Sequence, residues 1–136
     1  MKLLFICTHN RCRSILCEAI VNQRGGGALR AASAGSAPAG AVHPLTLRYL
    51  SERGYDIAGL SSQSWNELED FKPDRVITVC DSASGEVCPL WMSDISKEHW
   101  GLSDPSKVEG ERAAHAAFMS VIDRIETKVD QWLAEV

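Results

Sequence analysis

A single α/β domain built on a parallel sheet is the fold class the sequence predicts, and three observations predict it. Strand-like and helix-like patterns alternate along the 136 residues, as they do where each strand is followed by a crossover helix. The first apolar run, Leu3-Leu4-Phe5-Ile6, reads as a buried strand. No internal repeat, linker or low-complexity tract divides the chain, which is long enough for one sizeable core.

The elements follow in order. A first strand is expected at about 2–6 and a first helix from Ser14 to about Gln23, stopped by Gly25-Gly26-Gly27. A second strand at about 28–33 leaves through Ser33-Ala34-Gly35-Ser36. Pro44 is placed to open a second helix that runs to about Arg53 and ends at Gly54, since proline suits the first helical position and glycine the stop. A short helix is expected at Ser64–Phe71, ahead of Pro73. Asp74 to Val79 then reads as a third, buried strand ending at Cys80, and a fourth is expected at about 98–102, just before Asp104-Pro105. Phe118, Val121, Ile122, Ile125, Val129, Trp132 and Leu133 fall on one helical face and predict a last helix covering the sheet.

Composition narrows the function classes. Hydrophobic residues make up 45% and charged residues 24%, ordinary values for a water-soluble domain. A formal net charge of −4 and the lack of a basic run argue against a nucleic-acid partner. The N-terminal apolar run is too short for a signal peptide or a membrane span, so a cytoplasmic chain with no membrane association is expected. The five cysteines, Cys7, Cys12, Cys17, Cys80 and Cys88, are odd in number and contain no C-x2-C pair. A static disulfide framework and a zinc site are both disfavoured, and catalytic thiols remain.

The chemistry concentrates in Cys7-Thr8-His9-Asn10-Arg11-Cys12-Arg13-Ser14, directly after the first strand. A loop opening into a helix offers inward amides and the positive end of the helix dipole. Arg13 adds forked donors that suit a tetrahedral oxyanion. Together they are expected to favour thiolate at Cys7; the alternative is that Cys7 is only a small core residue. Asn10 either tolerates a left-handed backbone and braces the loop or is simply a polar side chain facing water, while Ser14 either bonds the thiolate or caps the helix. Cys12 reads as a bystander thiol, Cys17 as packing, and His43 and His115 as surface or packing residues.

In parallel sheets the active crevice lies beyond the carboxyl ends of the strands, which lets Cys7, Cys80 and Asp104 converge. Asp104 is a candidate acid for a departing oxygen, or simply the start of an Asp-Pro turn. Cys80 and Cys88 flank a stretch of small and polar residues. A phosphatase has no use for them, whereas a reductase could use one to displace product and the other to carry the oxidising equivalent outward. The plain alternative is two core cysteines beside a loop.

At this point CTHNRCRS, VITVCDSASGEVCP and EHWGLSDPS, in order and spanning most of the chain, resemble the thioredoxin-coupled arsenate reductases built on the low-molecular-weight tyrosine phosphatase fold. The resemblance implies a four-stranded parallel sheet flanked by helices, arsenate as substrate and thioredoxin as external reductant, with no tightly bound cofactor and a monomeric chain. It implies that Cys7 attacks arsenate, that Thr8, His9, Asn10, Arg11, Cys12, Arg13 and Ser14 hold the oxyanion, and that Asp104 protonates the leaving oxygen. Cys80 would then form a disulfide with Cys7, and Cys88 would take it over, with residues 81–88 rearranging. Some relatives hold a structural potassium ion, for which Asn10, Glu18 and Ser33 are the matching residues; around Gln63–Asn66 the chain departs from that pattern. His9 stands where many relatives have glycine, and Arg11 adds a positive charge. The rival readings are a low-molecular-weight protein tyrosine phosphatase hydrolysing phosphomonoesters, and a non-catalytic redox sensor. Against the phosphatase, Ser106-Lys107-Val108 follow Asp-Pro where an aromatic wall is expected.

Overall fold

The computed structural model describes residues 1–80, 85–86 and 88–136. The elements are β1 (Lys2–Ile6), α1 (Arg13–Arg24), β2 (Arg30–Ala34), α2 (Pro44–Glu52), β3 (Arg75–Thr78), β4 (Ser96–His99) and α3 (Glu111–Glu135). The strands form one sheet in the order β2-β1-β3-β4, parallel throughout. β1 therefore lies inside the sheet, and Leu3, Leu4, Phe5 and Ile6 are all buried, which is why its apolar run does not alternate.

On one side, α3 brings Trp132 to 5.8 Å from Phe5 and Phe118 to 4.9 Å from Tyr49 of α2, measured between ring centroids. The expected apolar face is buried from Phe118 to Trp132, with Leu133 half-buried at its end. Each such side chain stabilises the fold by about 1.5–3 kcal/mol. α2 begins at Pro44 and stops at Gly54, which takes φ 86, a left-handed value open to glycine.

Three expectations shift. β4 begins two residues before the expected 98–102 and ends at His99. Its ladder with β3 closes at Thr78–His99, and only single bonds, Trp100 N–H to Thr78 O (2.8 Å) and Leu102 N–H to Val79 O (3.0 Å), continue. As an edge strand it carries exposed polar residues and so lacks an apolar signature. β2 starts at Arg30 because Ala28 N–H turns back to Gly25 O (3.0 Å). The segment at 64–71 forms two short 3-10 turns, Trp65–Glu67 and Glu69–Phe71, the first held by a capping box between Ser64 and Glu67. Among the described residues no helix is long and apolar enough to cross a membrane.

Candidate active site

The loop joining β1 to α1 hangs from its carbonyls. Thr8 O accepts from Ala37 N–H (2.9 Å), and Arg11 O from His43 N–H (2.9 Å) and Thr46 Oγ1 (3.3 Å). In a trans peptide N–H lies opposite C=O, so drawing these carbonyls outward turns the His9 and Cys12 amides into the loop. Cys12 is the N-cap of α1 and no side chain caps the first turn, which leaves its amides and partial positive charge facing the same space.

Beneath the loop, Asn10 is buried with φ 47, the left-handed conformation expected of it. Its Nδ2 donates to Ser14 Oγ (2.8 Å) and Ser33 Oγ (3.0 Å), and its Oδ1 accepts from Gln63 N–H (2.8 Å). Ser14 is thus an acceptor inside the first turn and not the cap. His9 needs no left-handed backbone; it is exposed, its ring meets Ala37 O at 3.2 Å, and its carbonyl takes Ala39 N–H.

The carboxyl ends of β1 and β3 and the segment after β4 enclose a hollow of about 220 Å³ lined by Cys7, Thr8, His9, Arg11, Cys12, Arg13, Cys80, Asp104, Ser106 and Lys107. Of the residues expected to hold an oxyanion, Asn10 and Ser14 do not line it; they brace it from below. Arg13 donates from Nη1 to Leu102 O (3.0 Å), and its Nη2 lies 3.6 Å from Asp104 Oδ2. Asp104 Oδ1 accepts from Ser106 N–H (3.0 Å) and Ser106 Oγ (2.6 Å), capping the turn Pro105–Lys107. Asp104 thus both caps the turn and lines the hollow.

Cys80 reaches the same hollow. Its Sγ accepts from Thr8 N–H at 3.5 Å and is hydrogen-bonded to the Cys7 thiol. That contact corrects the expected electrostatics. The Cys80 sulfur pushes the Cys7 thiol up most, burial adds to this, and Arg13 acts against both. Such a bond raises a thiol when Cys7 donates it, and Thr8 N–H points at the accepting Cys80 sulfur. Burial likewise pushes Cys12 up to about 12, opposed by a bond to Thr46, and pushes the fully buried Cys17 up.

Cys88 lies elsewhere. It is half-buried and lines a second hollow of about 270 Å³ with Ile6, Trp65, Val76, Thr78 and Glu86. The expected rearrangement of 81–88 falls largely on 81–84 and 87, outside the described residues.

The residues matching a potassium site do come together, but as a closed hydrogen-bonded network. Ser33 Oγ donates to Glu18 Oε1 (2.6 Å) and receives Asn10 Nδ2, while Gln63 Nε2 donates to Ser33 O (3.0 Å). In this arrangement the amide nitrogen of Asn10 faces Ser33 Oγ and its oxygen faces Gln63 N–H. Burial raises the Glu18 carboxyl above its ordinary range, with Ser33 opposing.

Sequence reasoning missed three participants. An added Cβ at Gly35 would lie 2.4 Å from Thr8 O and 2.6 Å from Cys7 O, so the backbones touch; a glycine among small residues at a strand exit was the signal. Glu86 accepts from Thr8 Oγ1 at 2.8 Å and also from Ser36 Oγ, which nothing in the local pattern announced. Thr46, on α2, secures the loop.

The chain has relatives of similar sequence and fold. The chain is 33% identical over 129 residues to an arsenate reductase of Bacillus licheniformis, covering 94% of this chain and 91% of the relative. It is 34% identical over 126 residues to one from Halalkalibacterium halodurans, covering 92% and 89%. Its structure matches an arsenate reductase in the phosphate binding state with a TM-score of 0.80 at 27% identity, over 99% and 98% of the two chains. It matches a thioredoxin-dependent arsenate reductase of Corynebacterium glutamicum with a TM-score of 0.73 at 29% identity, over 98% of this chain and 60% of the other. With its anion loop, its sheet order and a family profile that matches residues 2–136, the chain belongs to the low molecular weight phosphotyrosine protein phosphatase family.

Proposed function

We propose that this protein reduces arsenate to arsenite and passes the oxidising equivalent through Cys7, Cys80 and Cys88 to thioredoxin. The observation that carries the reading is the second thiol: Cys80 is hydrogen-bonded to Cys7 beside Arg13 and Asp104, and hydrolysis of a phosphoester has no use for it. The names of the relatives support the same substrate. Ser106 and Lys107 in the lining favour a small charged oxyanion over an aryl ester.

In the first step Cys7 Sγ forms a bond to arsenic while one As–O bond breaks. The proton of the Cys7 thiol ends on the departing oxygen with Asp104 as carrier, and water leaves. Arg13 and the loop amides neutralise the remaining oxygens. Cys80, as its thiolate, then attacks Cys7 Sγ. The S–S bond forms, the As–S electron pair stays on arsenic, and arsenic(V) becomes arsenic(III). Cys88 attacks Cys80, freeing Cys7, and a thioredoxin dithiol reduces the Cys80–Cys88 disulfide.

The test is NADPH consumption with arsenate, thioredoxin and thioredoxin reductase, alongside a parallel run with glutathione and glutaredoxin. Arsenate-dependent turnover with thioredoxin supports the proposal. Silence in both, with brisk hydrolysis of an aryl phosphate, assigns the chain to phosphoester hydrolysis.

A further inference from the structure

Thr8 holds both sides of the stretch that separates the two relay thiols. Its N–H donates to Cys80 Sγ at 3.5 Å, and its hydroxyl donates to Glu86 Oε1 at 2.8 Å. The other Glu86 oxygen accepts from Ser36 Oγ, at the exit of β2. One carboxylate thus joins the anion loop to a second strand end through two charge-assisted hydrogen bonds, which are stronger than neutral ones. Two residues on, Cys88 lies in the hollow with Ile6, Trp65 and Val76, whereas Cys80 lines the hollow with Cys7.

We infer that Glu86 is a positioning residue, an anionic latch on Thr8 and Ser36 that holds Cys88 apart from Cys80 until the first disulfide has formed. The inference rests on the proposed relay. In the step it controls, Cys88 Sγ attacks Cys80 Sγ; the Cys80–Cys88 bond forms, the Cys7–Cys80 bond breaks, and its electron pair leaves on Cys7. Attack in line with that bond requires Cys88 to leave its hollow, and a residue two positions away cannot stay pinned to Thr8 and Ser36 while it does. The latch delays the third thiol, so that Cys88 does not compete with Cys80 for the Cys7–arsenic adduct before arsenite has left.

The experiment uses the whole chain, with Glu86→Gln, Ser36→Ala and the double variant. In the resting protein, alkylation of Cys88 by iodoacetamide is followed by peptide mass mapping. Both single variants are expected to raise its rate by about tenfold, the scale of losing one hydrogen bond to a charged group. The double variant should fall short of the product of the two, because both remove the same latch. Cys17, fully buried, is the internal control and stays protected. In one turnover with arsenate, the variants should form the Cys80–Cys88 disulfide about tenfold faster relative to arsenite release. An unchanged Cys88 rate in both single variants, or Cys17 becoming reactive in step with Cys88, overturns the latch. The absence of a Cys80–Cys88 disulfide in the unmodified protein overturns the relay instead, while the resting alkylation rates still decide the latch.

Discussion

Gly35→Ala offers the sharpest test of how the loop is built. Gly35 φ lies outside the left-handed region, so alanine has no backbone objection there and by chain entropy alone would stabilise the fold by about 0.4–1 kcal/mol. Space decides otherwise. The added Cβ would sit 2.4 Å from Thr8 O and 2.6 Å from Cys7 O, where carbon–oxygen contacts settle at about 3.3–3.6 Å. The strand exit cannot retreat, because Gly35 N–H is bonded to Gln63 O (2.9 Å) and Gly35 O to Trp65 N–H (3.0 Å). The Cys7–Thr8 backbone must therefore move by about 1 Å. Overpacking of this kind costs about 1–3 kcal/mol, and a displacement of that size at a nucleophile lowers the rate by about a hundredfold. Urea unfolding and single-turnover arsenite release measure the two effects. Gly25→Ala is the control: its Cβ would meet Val21 O at 2.5 Å, far from the anion loop, so stability falls and the rate per folded molecule holds. A Gly35→Ala protein as stable as the parent and equally fast would refute the close-contact argument.

Three further outcomes are expected. Cys88→Ser should release one arsenite per molecule and stop with Cys7 and Cys80 oxidised, as mass mapping would show; repeated turnover with thioredoxin would refute the relay. Burial raises the folded-state Glu18 carboxyl above its ordinary value of 4.5, so the folded chain binds that proton more tightly and stability declines as pH rises from there through the folded value. Glu18→Gln keeps an acceptor for Ser33 and should gain on the parent in urea midpoint as pH rises; a gap that does not vary with pH would contradict this. Burial, and then Arg11, lower His43, whose Nδ1 accepts from Leu45 N–H at 3.1 Å. Its cap is present above 6.5 and lost as pH falls through the lower folded value. His43→Asn, which caps without titrating, should flatten the acid side of the thermal stability profile, and an unflattened profile counts against the cap.

The fold was legible wherever burial leaves a periodic trace. β1 is apolar from Leu3 to Ile6 because both its faces are covered there, and α3 shows its stripe because one face meets Phe5 and Tyr49. β4 was misplaced because an edge strand of polar residues carries no such trace. In the site, Cys7, Arg13, Cys80 and Asp104 were visible as residue types at strand ends, and parallel topology does bring them to one hollow. What was not legible depends on distance between elements: the Gly35 contact, the hydrogen bonds of Glu86 to Thr8 and Ser36, and the thiol pair. Arg13 and the loop are both present in the sequence, but the first cause that raises the Cys7 thiol is the sulfur of Cys80, which only the fold brings near.

That balance leads to a final prediction. If Cys7 donates to Cys80 at rest, the largest cause of its raised state disappears when Cys80 is removed, leaving burial against Arg13 and the loop amides. Cys80→Ala should therefore shift the pH midpoint for Cys7 alkylation downward, making Cys7 more reactive at neutral pH although the variant cannot complete reduction. The two effects run in opposite directions, which separates this from simple damage to the site. A disturbed loop would lose its amides and Arg13 geometry and drive the midpoint up. A midpoint that rises or stays in place would mean that the resting charge is held by Cys7 itself, and that Cys80 enters only as the second nucleophile. A downward shift shows that the Cys80 sulfur is what keeps the Cys7 proton in place at rest, against the pull of Arg13.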